Sequence, residues 1–259
     1  MGVERDCYTR LFSIRVNSVV MQKLVKWILS IAVVLILFLY LIFKPSVPAS
    51  TPLTSFTAPF VYGYFNVPAN NPLTEEGVSL GRMLFYDPLL SGNNQVSCAT
   101  CHQQHLAFTD GKAFSVGVSG NPLGFNSMTL VNAMWGPQHF FWDGRVLSLE
   151  EQALLPILHP DEMAQNLQEL IEELKAVPKY VALFAIAYGE INAANIAKAL
   201  ASFERTLISA NSKYDQYLRG EVKLSPVEEL GRKLFMAHPD VKVSLRGGNC
   251  IDCHSQFLT

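Results

Sequence analysis

The stretch LGRMLFYDPLLSGNNQVSCATCH occupies residues 80–102, and both of its ends recur later in the chain. LGRKLF stands at residues 230–235 and CIDCH at residues 250–254. The apolar segment begins 18 residues before the first cysteine pair and 20 residues before the second. Self-similarity of this kind indicates a repeated structural unit. The sequence therefore predicts two units of one design, each with a helix that leads into a Cys-x-x-Cys-His motif.

Helix signals dominate the rest of the pattern. Thr74 is followed by two glutamates, and residues 225–228 (SPVE) form a capping box with proline at the first helical position. Apolar residues at helical spacing predict three more helices, over residues 167–174, 178–188 and 196–207. Residues 86–146 are instead rich in Gly, Asn and Pro, which predicts long loops. The predicted fold class is mainly α.

The Cys-x-x-Cys-His motif points to a specific cofactor. Its two thiols can add to the two vinyl groups of one haem while the adjacent imidazole reaches the iron. The alternatives are a redox-active cysteine pair and half of a zinc site. A zinc site favours both pairs in one small module, and a thioredoxin-like pair favours a βαβ context, and the sequence indicates neither. We therefore predict two covalent haem c groups, held by Cys98, Cys101, His102, Cys250, Cys253 and His254.

The N-terminal region predicts export. Residues 28–43 are uncharged and apolar, and with their flank from Leu24 they approach the roughly 20 residues of a membrane-spanning helix. Basic residues precede this run far more than they follow it, so the N-terminus is expected in the cytoplasm. We predict a cytoplasmic segment (residues 1–23) and a transmembrane anchor (residues 24–43). A cleaved signal peptide is the alternative, and Met21 is an alternative start.

Beyond the anchor, the prolines among Ser and Thr in residues 44–61 predict an extended linker. Two cytochrome c-like haem domains are expected to follow, a larger one at residues 62–220 and a second, incomplete one at residues 221–259. With a net charge of -2, the chain lacks the excess of basic residues that is typical of nucleic-acid-binding proteins. Nucleic acid is therefore not expected as a partner. Both haem domains are expected in the periplasm, anchored to the inner membrane, or soluble there if the signal is cleaved.

An ordered series of short motifs follows the first haem motif. It comprises FTDG (108–111), a Gly-x-x-x-Gly loop (120–124), NSMTLVN (126–132), FWDGR (141–145), EQA (151–153) and PDEM (160–163). With residues 80–102, this series resembles the bacterial di-haem cytochrome c peroxidase family, which includes MauG-type enzymes. The resemblance runs from about residue 74 to the end. It implies a peroxidatic N-terminal haem that reduces hydrogen peroxide to water and a C-terminal haem that receives electrons from a donor protein.

The resemblance also implies roles for single residues. His102 is similar to the proximal ligand of the peroxidatic iron, and Gln152 and Glu162 are similar to the residues on its distal side. Breaking the peroxide bond needs a group that moves a proton from one oxygen to the other, which fits Glu162, while Gln152 can donate a hydrogen bond. Trp142 resembles the aromatic residue between the two haems. Asn126 matches a family ligand of calcium.

Arg145 has two readings from sequence. It can pair with a haem propionate, or it can form a salt bridge to the nearby Asp143 or Glu150. At position 118 the chain departs from the family. Many members carry there a histidine that blocks the peroxidatic iron at rest, and alignment puts Val118 at this position. We therefore predict a five-coordinate or water-bound haem in the resting protein. The other histidines are less favoured as ligands: His105, His139, His159 and His238.

A second departure concerns the last residues. Only five residues follow His254, whereas family members continue with a segment that carries the second ligand of the C-terminal haem. The sequence is therefore expected to be a C-terminally truncated form. The leading hypothesis is a peroxidase that takes electrons from a small cytochrome c, a cupredoxin or quinol. The alternatives are a non-catalytic di-haem electron carrier and a MauG-like oxidase that modifies a partner protein.

Overall fold

The computed structural model describes residues 18–42, 51–53, 67–135, 139–240 and 246–254. Predictions for residues 1–17, for most of the linker and for the five residues after His254 lie outside these ranges. The chain divides into two compact units, Met1–Ser46 and Val47–Thr259. The described residues are mainly helical, with only isolated β-bridges between them. The predicted fold class is confirmed at this level.

The first unit contains a single described helix, α1 (Ser18–Ile42). Its 25 residues span about 37 Å at 1.5 Å per residue, which exceeds the roughly 30 Å hydrocarbon core of a bilayer. Residues Met21–Leu39 have a mean hydropathy of 2.0, and none of them is buried. By length and composition α1 can therefore cross a membrane, and a signal sequence near the N-terminus has the same properties.

The second unit holds eight described helices. Thr74 and Ser225 cap two of them as predicted, each accepting a hydrogen bond from a backbone N–H of the first turn. The three helices predicted between the motifs are present as well, whereas α3, α4 and α8 were not predicted. The helices are α2 (Glu75–Tyr86), α3 (Cys98–Cys101), α4 (Leu149–Leu158), α5 (Leu167–Ala176), α6 (Pro178–Ala187), α7 (Ala193–Glu204), α8 (Lys213–Leu218) and α9 (Pro226–Met236).

The core is built around the crossing of α2 and α7. Leu80, Leu84 and Phe85 of α2 are fully buried there, and the Phe85 and Phe203 rings meet edge to face with centroids 5.1 Å apart. A Cβ atom on Gly81 would lie only 1.8 Å from the carbonyl oxygen of Ala199. Glycine is therefore required for the two helices to approach this closely.

A partly buried ion pair joins α4 to the end of α7. Arg205 donates two hydrogen bonds to Glu150, from Nη1 at 2.7 Å and from Nη2 at 2.9 Å. Asn71 donates a third to the same carboxylate at 2.7 Å. Burial alone would raise the pKa of Glu150, but these hydrogen bonds outweigh it and hold the pKa below its usual value. The start of α4 is thereby fixed against the core.

Part of the predicted linker lies along the start of α2. Thr51 accepts a hydrogen bond from the Glu75 amide at 3.0 Å, and Leu53 donates one to the Leu73 carbonyl at 3.2 Å. The Thr51 hydroxyl also donates to Glu76 at 2.7 Å. Residues 51–53 therefore belong to the folded second unit.

Candidate active site

The first Cys-x-x-Cys-His motif forms one helical turn. Cys98 and Cys101 lie on α3, and the His102 amide closes the turn by donating to the Cys98 carbonyl at 2.9 Å. Both cysteines are free thiols. Cys98 packs against the core, and burial raises the pKa of its thiol to about 12. The turn thus presents two reduced thiols and an imidazole together.

The His102 ring is oriented by the loop that follows. Its Nδ1 lies 2.8 Å from the carbonyl oxygen of Phe108, so Nδ1–H donates there, and the backbone of Met128 makes a second contact with the imidazole. Ala107 and Phe108 both adopt the left-handed conformation, with φ of 56° and 59°, and this turns the carbonyl toward the ring. Burial lowers the pKa of His102, which keeps the imidazole neutral. A backbone acceptor that fixes the second ring nitrogen is typical of metal-binding histidine.

The donor set fits haem c. Two free thiols one helical turn apart can form the two thioether bonds, and the adjacent imidazole, neutral and oriented by Phe108, is a suitable iron ligand. Ring packing supports the same arrangement, because the Phe85 and His102 centroids lie 6.5 Å apart with an interplanar angle of 47°.

The second motif repeats this local geometry. The His254 amide donates to the Cys250 carbonyl at 2.8 Å, and the Phe235 and His254 rings lie 6.5 Å apart at 50°. The surroundings differ, however. Leu230 of α9 is 56% exposed, whereas Leu80 at the matching position of α2 is fully buried. The internal repeat thus extends to side-chain geometry, with only the first copy packed into a core.

Glu162 is held against the loop that contains Val118. The Val118 amide donates to the Glu162 carbonyl at 2.8 Å. A Cβ atom on Gly117 would lie 2.2 Å from the Asp161 carbonyl oxygen and 2.4 Å from that of Glu162. Only glycine allows this approach, so the position aligned with the family's blocking histidine adjoins the predicted acid–base residue.

The environment of Glu162 raises the pKa of its carboxyl above the usual value. Burial raises the pKa of its half-buried carboxyl, although the charges of His159 and Arg145 oppose the shift. The pKa of the Cys101 thiol is raised by burial and then by the charges of Asp110 and Glu162, which puts the Glu162 carboxyl within electrostatic reach of the haem motif. A carboxyl whose pKa moves toward neutrality is suited to give and take protons.

Trp142 and Asn126 lie together at the surface. The Trp142 indole is 56% exposed and donates from Nε1 to the Asn126 carbonyl at 3.2 Å. The Asn126 side chain is exposed, and the described part of the chain contains no cluster of three or more His, Cys, Asp or Glu that could hold a metal ion. Gln152 is half-buried in the first half of α4.

Arg145 pairs with Asp143, one of the two acidic residues predicted as salt-bridge partners. Its Nη1 donates to both oxygens of Asp143, at 2.9 and 2.8 Å, and its guanidinium lies 3.7 Å from the centroid of the Phe141 ring. Glu150, the other candidate, pairs with Arg205 instead. Arg145 is therefore held on its own loop.

Comparison with known proteins supports the motif series. The family model described as di-haem cytochrome c peroxidase (CCP_MauG) matches residues 75–223, more than half of the chain. The chain belongs to this family. It is 41% identical over 194 residues to the methylamine utilization protein MauG of Methylorubrum extorquens, covering 73% of this chain and 52% of that protein. It is 35% identical over 195 residues to the cytochrome c peroxidase Ccp of Escherichia coli, covering 74% and 40%.

A solved structure is also similar to this chain. The crystal structure of a MauG-like protein associated with microbial copper homeostasis matches with a TM-score of 0.71 and 33% identity. The match covers 78% of this chain and 58% of that one. The chain spans about half the length of the curated relatives that it matches.

Sequence reasoning did not find three features of the site in this family member. These are the Phe108 carbonyl that orients His102, the close approach at Gly117, and the proximity of His159 to Glu162. The first is hidden because alanine and phenylalanine seldom adopt positive φ. The close approach did have a sequence signal, because Gly117 directly precedes Val118, the position aligned with the family's blocking histidine.

A further buried group lies near the first haem motif. Glu204, at the end of α7, is 5% exposed, and its Oε2 has no hydrogen-bond partner among the described residues. Burial raises the pKa of Glu204 to about 8. Its charge contributes to the raised pKa of Cys98, so it lies within electrostatic reach of that thiol. No motif signal singled out this carboxyl.

Proposed function

We propose that this chain is a haem c peroxidase that reduces hydrogen peroxide to water, with the peroxidatic haem held by Cys98, Cys101 and His102. The observation that carries the proposal is the His102 ring, whose Nδ1 lies 2.8 Å from the Phe108 carbonyl oxygen and which stands next to two free thiols. When bound there, haem supplies an iron that binds peroxide and passes electrons to it. The overall reaction consumes one peroxide, two electrons and two protons and yields two waters.

Glu162 is proposed as the acid–base group. Its half-buried carboxylate accepts a proton from one peroxide oxygen and delivers it to the oxygen that leaves as water, a role worth about 10²–10⁴ in rate. Burial supports this assignment because it raises the pKa of Glu162 toward neutrality. Gln152 is proposed to donate a hydrogen bond to the oxygen on which charge develops.

The second haem c is proposed at Cys250, Cys253 and His254, as the entry point for electrons. The matching ring geometry of the two motifs supports this proposal. Trp142 is proposed to relay electrons between the two haems, with its indole fixed by the bond to Asn126. The donor is proposed to be a small cytochrome c, a cupredoxin or quinol. Calcium binding at Asn126 stays a prediction, as does a propionate contact for Arg145.

Val118 is proposed to leave the peroxidatic iron without a blocking ligand, because valine has no atom that binds iron. Optical and EPR spectra of the oxidised protein should then contain a high-spin or water-bound haem. Spectra of low-spin, bis-histidine haem alone would contradict this proposal. Periplasmic location and anchoring through α1 are likewise proposed, and the length and hydropathy of α1 support them.

The variant Glu162→Gln tests the proposed function. Peroxide turnover should fall about 10²–10⁴-fold, because glutamine fills the same space but cannot exchange a proton. Haem content and haem reduction should persist. Glu172→Gln on α5 is the matched control, since that side chain is 73% exposed. Unchanged turnover in Glu162→Gln would refute the acid–base assignment.

The same measurements separate the alternatives. A non-catalytic electron carrier predicts no peroxide turnover in the parent protein and no spectral response to peroxide. The 41% identity to MauG favours a second candidate, peroxide-dependent oxidation of a partner protein. That reading predicts peroxide consumption that stays slow with reduced small donors and requires a protein substrate.

A further inference from the structure

His159 forms the first residue of the tight turn that holds Glu162. Its carbonyl accepts hydrogen bonds from the Glu162 amide at 3.1 Å and from the Ala164 amide at 2.9 Å. Its ring is fixed as well, because Nδ1 accepts a hydrogen bond from the Asp161 amide at 3.2 Å. The position of this imidazole relative to Glu162 is therefore set by the backbone of the turn itself.

The side chains of His159 and Glu162 lie close together and differ in their exposure to solvent. Nδ1 of His159 lies 3.9 Å from Oε1 of Glu162, and the side chains are 45% and 28% exposed. The imidazole is thus the more accessible of the two groups. The other charged or titratable groups that face Glu162 are Arg145, Asp161 and Cys101. Of all these groups, only a histidine side chain readily exchanges protons near neutral pH.

We propose that His159 is the proton relay that resupplies Glu162 from solvent during peroxide reduction. This inference rests on the proposed function, because the proton that Glu162 moves comes from the peroxide itself, so the two protons that each peroxide reduction consumes must reach the half-buried site from solvent. His159 is a positioning and relay residue, which contacts Glu162 and not the peroxide.

The relay moves one proton from solvent to Glu162. A hydronium ion in solvent gives a proton to the neutral His159 ring, which becomes an imidazolium with a proton on Nδ1. Nδ1 passes that proton to Oε1 of the Glu162 carboxylate, directly after a small rotation or through one water. The ring is neutral again, and its Nδ1 lone pair again accepts the Asp161 amide hydrogen.

The variant His159→Gln tests the relay in the haem-loaded full chain. Glutamine keeps a hydrogen-bond acceptor for the turn but cannot carry a proton. The turnover number for peroxide should fall about tenfold or more, less than the loss in Glu162→Gln, and its solvent deuterium isotope effect should rise. Raising the phosphate buffer concentration at constant ionic strength should restore turnover, because phosphate can deliver the proton from solution. His105→Gln, another exposed histidine, is the matched control.

The outcomes distinguish failure of the His159 relay from failure of the proposed peroxidase function. Rescue of His159→Gln by phosphate, with the haem spectrum unchanged, supports the relay. Parental turnover and pH profile in His159→Gln would overturn it, as would a loss that phosphate does not restore. If the parent protein lacks peroxide turnover, or Glu162→Gln retains it, the proposed function itself fails. Glu162→Gln should not respond to phosphate.

Discussion

Replacing Gly117 by alanine tests whether the loop at Val118 positions Glu162. The added Cβ would meet the Asp161 carbonyl oxygen at 2.2 Å and the Glu162 carbonyl oxygen at 2.4 Å, whereas ordinary contact begins at 3.4 Å. The two segments must therefore separate by about 1 Å, a displacement that can cost on the order of 10² in rate. Overpacking should also cost about 1–3 kcal/mol of stability, and loss of the bond from Val118 about 1 kcal/mol more.

The assay is steady-state peroxide turnover with a chemically reduced donor, alongside haem content and thermal unfolding. Gly124→Ala is the matched control, since nothing lies within 4 Å of a Cβ at that position of the same region. We expect Gly117→Ala to bind haem normally, to unfold at a lower temperature and to lose about 10²-fold in turnover. Turnover within about twofold of the parent would refute the coupling of this loop to Glu162.

Two further predictions concern the core. Gly81→Ala should destabilise the protein by about 3 kcal/mol or more in urea unfolding, because its Cβ would meet the Ala199 carbonyl at 1.8 Å. Nothing lies near a Cβ at Gly231, the matching position of α9, so Gly231→Ala should leave the free energy of unfolding unchanged or raise it by up to about 1 kcal/mol. Equal losses of unfolding free energy in both variants would contradict the packing difference between the two repeats. The pKa of Glu204 is raised to about 8 in the folded protein from an ordinary value of 4.5. The stability that its protonated carboxyl contributes is therefore fully present below about pH 4.5 and is lost as the pH rises to about 8. Glu204→Gln should remove that part of the decline in unfolding free energy between pH 5 and pH 8, and an unchanged decline would show that another group is responsible.

Local signals explain which helices were predictable. Thr74 and Ser225 cap the helices that they were predicted to cap, because capping depends on residues within one turn. The helix α4 escaped prediction because Pro156 interrupts its pattern, and α8 has only six residues. Tertiary packing decides both, and a single sequence does not report it.

The candidate site likewise combines features that local sequence specifies with features that tertiary contacts decide. The Cys-x-x-Cys-His motif could be identified because five consecutive residues specify it, whereas its helical turn was not predicted. The carbonyl of Phe108 and the approach at Gly117 were not, since each depends on a backbone conformation set by distant contacts. Besides a haem propionate, the sequence offered Arg145 two acidic partners, Asp143 and Glu150, and the loop geometry selects Asp143 of the two acids.

The most direct test of the account is the intact mass of the purified protein, made in a host with a complete cytochrome c maturation system. We predict the mass of the polypeptide plus two haems, with one haem lost when Cys98 and Cys101 are replaced by alanine and the other lost when Cys250 and Cys253 are replaced. A protein that carries the polypeptide mass alone would contradict covalent haem at both motifs, and with it the proposed chemistry.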